Sequence, residues 1–190
     1  MNRFKDTRED IYSFQNEFLV RCPFCDSCAI VRCIDPDNAD SFAHRIFSCT
    51  ACGSSKDWSE KKIESWYSEA VDNYFHYPLW LQTSCCSRTL WAYNLRHLEF
   101  IEAFVRAKLR ERKPHEVYGW SNKSLFSRLP KWIPSGKNRE EIIKAIDLIR
   151  IDTTHDRTGI TKRASHQKFI MESVDVFTSI FKSVHTYDLK

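Results

Sequence analysis

The chain is poor in glycine, in long apolar runs and in familiar catalytic loops. Only 4 of its 190 residues are glycine, which argues against long flexible loops and glycine-rich all-β turns. No apolar run approaches the length of a membrane span, and the first residues, Met-Asn-Arg-Phe-Lys-Asp, lack the apolar core of a secretory signal. Neither a glycine-rich phosphate loop nor a Gly-x-Ser-x-Gly elbow is present, so these nucleotide-binding and hydrolase signatures are excluded.

The composition is that of a folded protein with an unusual number of thiols. Hydrophobic residues make up 42% of the chain and aromatic residues 14%, enough for a substantial core. Eight cysteines are typical either of a secreted disulfide scaffold or of metal sites in a reducing compartment. Because no signal segment is recognised, we predict a cytoplasmic protein with metal-bound cysteines and no membrane association.

Two Cys-x2-Cys pairs dominate the first third of the chain, and 23 residues separate them. Each pair predicts a tight turn, or knuckle, that directs two sulfurs at one ion, and four thiolates suit tetrahedral zinc. We predict one structural Zn²⁺ held by Cys22, Cys25, Cys49 and Cys52. Cys28 or His44 in place of one ligand is the alternative. Four thiolates leave no position for a water molecule, which argues against catalysis at this zinc.

β-rich segments flank the knuckles at residues 18–21, 29–34 and 44–48, and turn-forming residues fill 35–40. The order of strands and knuckles resembles that of the zinc ribbons of transcription and replication proteins. In this chain the two knuckles have the sequences CPFC and CTACG. That resemblance implies a rigid platform for contact with nucleic acid or protein. So small a sheet has little core, so the metal is expected to supply much of its folding free energy.

Beyond residue 57 the hydrophobic period changes to that of helices. Apolar stripes and capping residues predict five helices, at about 57–77, 87–112, 123–129, 138–150 and 165–184, with a polar loop at 153–163. We therefore predict an α+β protein: a small β-rich zinc ribbon with an N-terminal extension at 1–57, followed by an all-α helical bundle at 58–190. The helical part resembles uncharacterised bacterial proteins, a likeness that implies no function.

The positive charge is concentrated in one block. Residues 1–95 carry 10 Lys/Arg against 13 Asp/Glu, whereas residues 96–139 carry 11 against 4. Dispersed cations with interleaved aromatic rings are typical of nucleic-acid binding. The predicted contacts are Arg106, Arg110, Arg112, Lys113, Arg128, Lys131, Trp132, Lys137 and Arg139. The alternatives are a solvated surface, or a protein-interaction subunit of a larger complex or homo-oligomer.

One further motif has catalytic chemistry. Arg150 and His155 have the R-x4-H spacing, which resembles the signature of the HEPN family of helical ribonucleases. The resemblance implies acid–base work by the histidine and phosphate binding by the arginine, at a helix end that leads into a loop. RNA cleavage near neutral pH needs both groups. These two residues are the catalytic candidates of an alternative function, a metal-independent ribonuclease.

Three remaining features have simpler interpretations. The adjacent Cys85 and Cys86 are predicted to be buried packing groups, since neighbouring side chains diverge, with a redox or second metal role as the alternative. His97 is predicted to be a satisfied histidine without a catalytic role. The cations beside the knuckles, among them Arg45, are candidates for phosphate contact but are balanced by nearby carboxylates.

Overall fold

The computed structural model describes residues 2–35, 43–58, 69–112, 114, 119 and 122–157. They belong to one compact unit, residues 1–157, and residues 158–190 lie outside the described part. The predicted turn at 35–40 lies almost wholly outside the described residues, and the predicted helix at 165–184 lies entirely outside them.

The first third forms a four-stranded antiparallel sheet. Its strands, adjacent in chain order, are β2 (Glu17–Arg21), β3 (Cys28–Cys33), β4 (Arg45–Ser48) and β5 (Ser55–Trp58). The three predicted strands are confirmed. The fourth strand, β5, was not predicted, because we interpreted Asp57 and the residues after it as the start of a helix.

Alternation along these strands places one face of the sheet in the core. Phe18 and Val20 of β2, Val31 of β3 and Phe47 of β4 are fully buried. Cys33 is also buried.

The outer edge of β2 is covered by residues 78–93. Trp80 N–H donates to the Leu19 carbonyl at 2.8 Å, and Leu19 N–H donates to the Tyr93 carbonyl at 2.7 Å. The rings of Phe18 and Tyr93 pack edge to face with centroids 4.8 Å apart. The ribbon therefore shares its core with residues beyond 57, whereas the domain boundary at 57/58 stays a prediction.

The described end of the first predicted helix is not helical. Val71 bridges Pro78, and residues 69–80 form turns and irregular structure. The buried Asp72 carboxylate accepts the N–H groups of Tyr74, Phe75 and Tyr77 at 2.7–2.9 Å. These bonds offer the backbone an alternative to helix, which is the usual effect of an aspartate at a turn. Residues 59–68 lie outside the described part.

The predicted long helix at 87–112 is also wrong at both ends. A hairpin of β6 (Leu81–Cys85) and β7 (Arg88–Ala92) comes first. Helix α1 (Leu95–Arg106) follows, and the short strand β8 (Leu109–Glu111) comes after it. Asn94 caps the helix, because its side-chain oxygen accepts the N–H of His97 at 2.9 Å.

The rest of the unit packs around α1. β1 (Arg3–Lys5) pairs in parallel with β8, and a 3-10 helix (Ile11–Phe14) precedes β2. After the short α2 (Leu125–Arg128), helix α3 (Arg139–Arg157) lies against α1 and β6. The predicted apolar stripe of α3 is confirmed: Ile142, Ala145, Ile146 and Ile149 are all buried.

Two fold predictions need correction here. Helix α3 continues through residues 153–157, where a loop was predicted. The α+β class is confirmed, but the part after residue 57 is not all-α, since β6, β7 and β8 lie within it. Apolar periodicity identified the helices α1 and α3 but misassigned a half-buried hairpin whose turn contains no glycine.

Candidate metal centre and the basic segment

Both knuckles are the loops of β-hairpins. Arg21 pairs with Cys28, so residues 22–27 join β2 to β3, and Ser48 pairs with Ser55, so residues 49–54 join β4 to β5. In an antiparallel sheet of this order the two loops emerge at the same end. The sheet topology thus brings together two cysteine pairs that are distant in sequence.

The two loops have the same backbone pattern. In the first, Asp26 N–H donates to the Cys22 carbonyl at 2.9 Å, and Gly53 N–H donates likewise to the Cys49 carbonyl at 2.9 Å. Both donors have a left-handed backbone, with φ of 60° at Asp26 and 74° at Gly53. Glycine and aspartate tolerate this conformation better than most residues, so each loop closes directly after its second cysteine.

The four sulfurs form one cluster. Cys22 Sγ lies 3.7 Å from Cys52 Sγ, Cys25 Sγ lies 3.5 Å from Cys49 Sγ, and all four lie within 4.8 Å of one another. A disulfide would require about 2.05 Å, whereas sulfurs about 2.3 Å from a tetrahedral ion lie about 3.8 Å apart. The donor set and spacing therefore suit a metal ion and are consistent with a zinc ribbon.

The predicted alternatives do not join this cluster. Among the described residues, the ligand group contains neither Cys28 nor His44. Cys28 is half-buried, and His44 Nε2 lies 3.2 Å from an Asp57 carboxylate oxygen. The symmetrical ligand set is the one that the structure brings together.

The thiols occupy unequal environments. Burial raises the pKa of Cys49 to about 12, whereas the hydroxyl and the backbone N–H of Ser54 lower the pKa of the exposed Cys52 thiol to about 6. Four clustered thiolates repel one another, and a cation would remove that repulsion. An ion at this position would be shielded from the side of Cys22 and Cys49, which are buried.

One ribbon arginine is a structural group. Arg45 is 2% exposed, and its Nη1 donates to the Gln15 carbonyl at 2.9 Å. Its guanidinium carbon lies 4.6 Å from the Tyr74 ring centroid. The suggestion that Arg45 contacts phosphate is therefore wrong, because the side chain is not accessible.

The basic block divides into internal and exposed cations. Arg110 donates to the carbonyls of Phe104 and Pro134, both at 3.0 Å, and Arg139 donates to the Ala107 carbonyl at 3.1 Å. Burial is the main reason that the pKa of Arg110 is lowered. These two arginines hold chain segments together.

Two further arginines of the block have side-chain partners. Arg106 pairs with Glu102 at 2.8 Å and with Asp147 at 3.3 Å. Arg112 donates to the Asn122 side chain through both terminal nitrogens, each at 3.2 Å. Their charges are engaged within the protein.

The remaining predicted contacts differ in exposure. Arg128, Lys131 and Lys137 are exposed, and within the described part of the chain they form no salt bridge. Trp132 packs partly against the core, and its carbonyl accepts the Asn138 amide at 2.8 Å. Lys113 lies outside the described residues.

The R-x4-H pair lies within helix α3. Arg150 donates to Glu102 at 2.7 Å. Burial acts to raise the pKa of Glu102, but the guanidinium groups of Arg150 and Arg106 outweigh it and lower that pKa. The helix continues through His155, whose side chain lies outside the description, so the predicted helix end is wrong. A catalytic role for Arg150 and His155 stays a prediction.

His97 is a core residue. It is 2% exposed, its Nδ1 accepts the Tyr93 N–H at 3.3 Å, and its ring stacks on Phe14 with centroids 5.0 Å apart. Burial lowers the pKa of His97 to about 3. The neutral imidazole is therefore a packing and hydrogen-bonding group, as predicted.

A second group of metal-ligand side chains contains Cys85 and Cys86, for which a second metal role was only the alternative, and Glu141, which the sequence did not indicate. Cys85, Cys86 and Glu141 place their ligand atoms within 4.8 Å of one another. The two thiols are adjacent, but the carboxylate is 55 residues away on α3, and no local pattern signals its approach. Burial raises the pKa of Cys85 to about 12 and also raises that of Cys86, which argues against a reactive thiolate.

Comparisons with protein-family models, curated proteins and solved structures found no match. Within the part of the chain that the structure describes, no helix combines the length and apolarity needed to cross a membrane. Functional assignment therefore depends on the geometry of the molecule itself.

Proposed function

We propose that this protein is a non-enzymatic nucleic-acid-binding module whose ribbon is organised by one structural Zn²⁺. The four-sulfur cluster supports the metal assignment, because borderline-soft zinc takes four thiolates at these separations. Ca²⁺ and Mg²⁺ prefer oxygen ligands and do not suit this donor set. Four protein ligands saturate a tetrahedral ion, so the zinc has a structural role.

The binding proposal depends on a single observation. One basic segment of the chain contains no acidic residues, and several of its lysine and arginine side chains are exposed. Residues 117–139 contain five Lys/Arg and no Asp/Glu. Arg128, Lys131 and Lys137 of this stretch are exposed. Among the described residues these three cations form no salt bridge, so they are available to release counterions from a phosphate backbone.

The internal arginines fit this proposal as supports. Arg110 ties Pro134 to α1 by its bonds to the Pro134 and Phe104 carbonyls. Arg112 ties β8 to Asn122. These bonds restrict the segment that bears the exposed cations, so less conformational entropy is lost on binding. We thus narrow the predicted contacts to Arg128, Lys131 and Lys137.

The test is salt-dependent binding of random-sequence single-stranded DNA and RNA to the zinc-loaded full chain. We expect the triple variant Arg128→Gln/Lys131→Gln/Lys137→Gln to bind more weakly. The plot of log association constant against log salt concentration has a negative slope. The magnitude of that slope should decrease by about 2, because each lost phosphate contact contributes roughly 0.7 on single strands.

The matched control removes the same charge elsewhere. Lys5, Lys108 and Lys144 are exposed and lie outside the basic stretch, so their replacement by glutamine should leave the slope nearly unchanged. An equal loss in both variants would show only a general charge effect and would contradict the assignment. No retention of either nucleic acid at low salt would favour the protein-interaction alternative, for which exposed Leu148 and Ile151 offer apolar surface on α3.

A further inference from the structure

The turn of the β6–β7 hairpin directs two adjacent thiols to the same side. Cys86 and Ser87 are the two loop residues between Cys85 and Arg88, and both have left-handed backbones, with φ of 52° and 56°. Such a loop has the positive φ angles of a type I′ turn. In a continuing strand neighbouring side chains would point to opposite faces. Here the Sγ atoms of Cys85 and Cys86 lie 3.6 Å apart, so our expectation that they diverge is wrong.

The third group comes from the first turn of α3. Glu141 Oε1 accepts the N–H of Cys86 at 2.5 Å, which holds the carboxylate against the hairpin turn. The next residue, Ile142, is fully buried, and α3 packs on β6. The carboxylate is thus positioned by packing as well as by a hydrogen bond. Its second oxygen remains available as a ligand, since a carboxylate offers several acceptor sites.

The donor set has a definite metal preference. The sulfur separation of 3.6 Å is close to the roughly 3.8 Å edge of a tetrahedral zinc–sulfur site. Two thiolates with one carboxylate favour a thiophilic divalent ion over Mg²⁺ or Ca²⁺. The ribbon centre provides four ligands, whereas this group provides three, so a fourth position is left for water or another ligand.

We propose that Cys85, Cys86 and Glu141 form a second metal site, which binds a thiophilic divalent ion such as Zn²⁺ with one coordination position open. The site lies in the hairpin turn and the start of α3, apart from the ribbon cluster in sequence and in ligand set. It does not depend on nucleic-acid binding.

The experiment is metal stoichiometry of the reduced full chain by native mass spectrometry and by titration with Zn²⁺ or Cd²⁺. The wild type should bind two ions per chain, and Cys86→Ser should bind one. Glu141→Gln should weaken the second ion by at least about tenfold, because losing a ligand should cost no less than losing an outer-shell partner. The ion at the ribbon should remain in both variants.

Two matched controls keep the result specific. Glu140→Gln changes the neighbouring exposed carboxylate of α3, and Cys28→Ser changes a half-buried thiol outside both groups; both should retain two ions. One ion per wild-type chain would overturn the proposal. So would a second ion that survives both Cys86→Ser and Glu141→Gln. If Cys86→Ser fails to fold, the affinity of Glu141→Gln decides alone.

Discussion

The ribbon sheet differs from the helical part of the unit in its cluster of four thiols. The ribbon buries one face, and its last strand, β5, exposes three of its four residues. Its knuckle end carries the four-sulfur cluster, which is the candidate metal centre. Both parts have aromatic packing: the Phe4 ring centroid lies 5.2 Å from that of Phe100 and 5.5 Å from that of Phe104 in the helical part, and the Phe47 ring centroid in the ribbon lies 5.1 Å from that of Tyr77. We expect the proposed metal ion to add to this packing at the knuckle end of the small sheet.

The largest predicted effect separates these two regions. Removing the metal with a strong chelator, or changing Cys49→Ser, should unfold the ribbon sheet, because structural zinc sites contribute on the order of 10 kcal/mol to folding. Hydrogen exchange should accelerate strongly in β4 and β5 but much less in α1. Cys28→Ser is the control for thiol loss. Equal acceleration in α1 would contradict the distinction between the regions.

An intermediate effect is expected at the segment that joins them. Asp72→Ala removes the acceptor of three backbone N–H groups, which then lie unsatisfied in a buried loop. We expect the free energy of unfolding to fall by about 3 kcal/mol, measured by urea denaturation of the metal-loaded protein. Asp147→Ala, at an exposed salt bridge with Arg106, should cost less than about 1 kcal/mol. Similar losses would argue that the Asp72 bonds do not organise the junction.

The smallest predicted effect is a pH dependence of stability that originates at a histidine in the core of the helical part. Burial lowers the pKa of His97 from 6.5 to about 3, so the unfolded state binds more protons between these values. The contribution of neutral His97 to the free energy of unfolding should therefore be fully present above about pH 6.5 and should decrease as the pH falls. From about pH 7.5 to about pH 5.5 the loss attributable to His97 should be about 1.4 kcal/mol.

The variant His97→Gln should lose this pH dependence, and His44→Gln should retain it, because His44 is much more exposed. Thermal denaturation at the two pH values, with zinc in excess, measures the difference. An unchanged pH dependence in His97→Gln would show that the core histidine is not the group responsible.

Local patterns were reliable where the chain makes its own regular contacts. The two Cys-x2-Cys turns, the strands beside them and the apolar stripe of α3 were all predicted, because each depends on spacings of a few residues. The hairpin at 81–92 was not predicted. Its turn residues, Cys86 and Ser87, adopt positive φ without glycine, and residues 87–92 had been assigned to the predicted helix at 87–112.

Charge patterns were less informative than periodicity. The basic block was visible as composition, but its division into internal arginines and exposed cations was not. Arg110 and Arg139 donate to backbone carbonyls of distant segments, and such bonds form only when the chain has folded. Their long side chains can either cover apolar surface or reach solvent, and the sequence contains no signal for the choice.

The sequence alone determined that one cluster of four thiols would exist, because each knuckle is a local turn and two of them complete a tetrahedral ligand set. Tertiary structure alone decided that Arg45 is buried under Tyr74 and that Glu141 meets Cys85 and Cys86. The physical reason is the distance along the chain over which each kind of interaction acts. Turn geometry acts over a few bonds, whereas burial and the meeting of residues 55 positions apart depend on how whole elements pack.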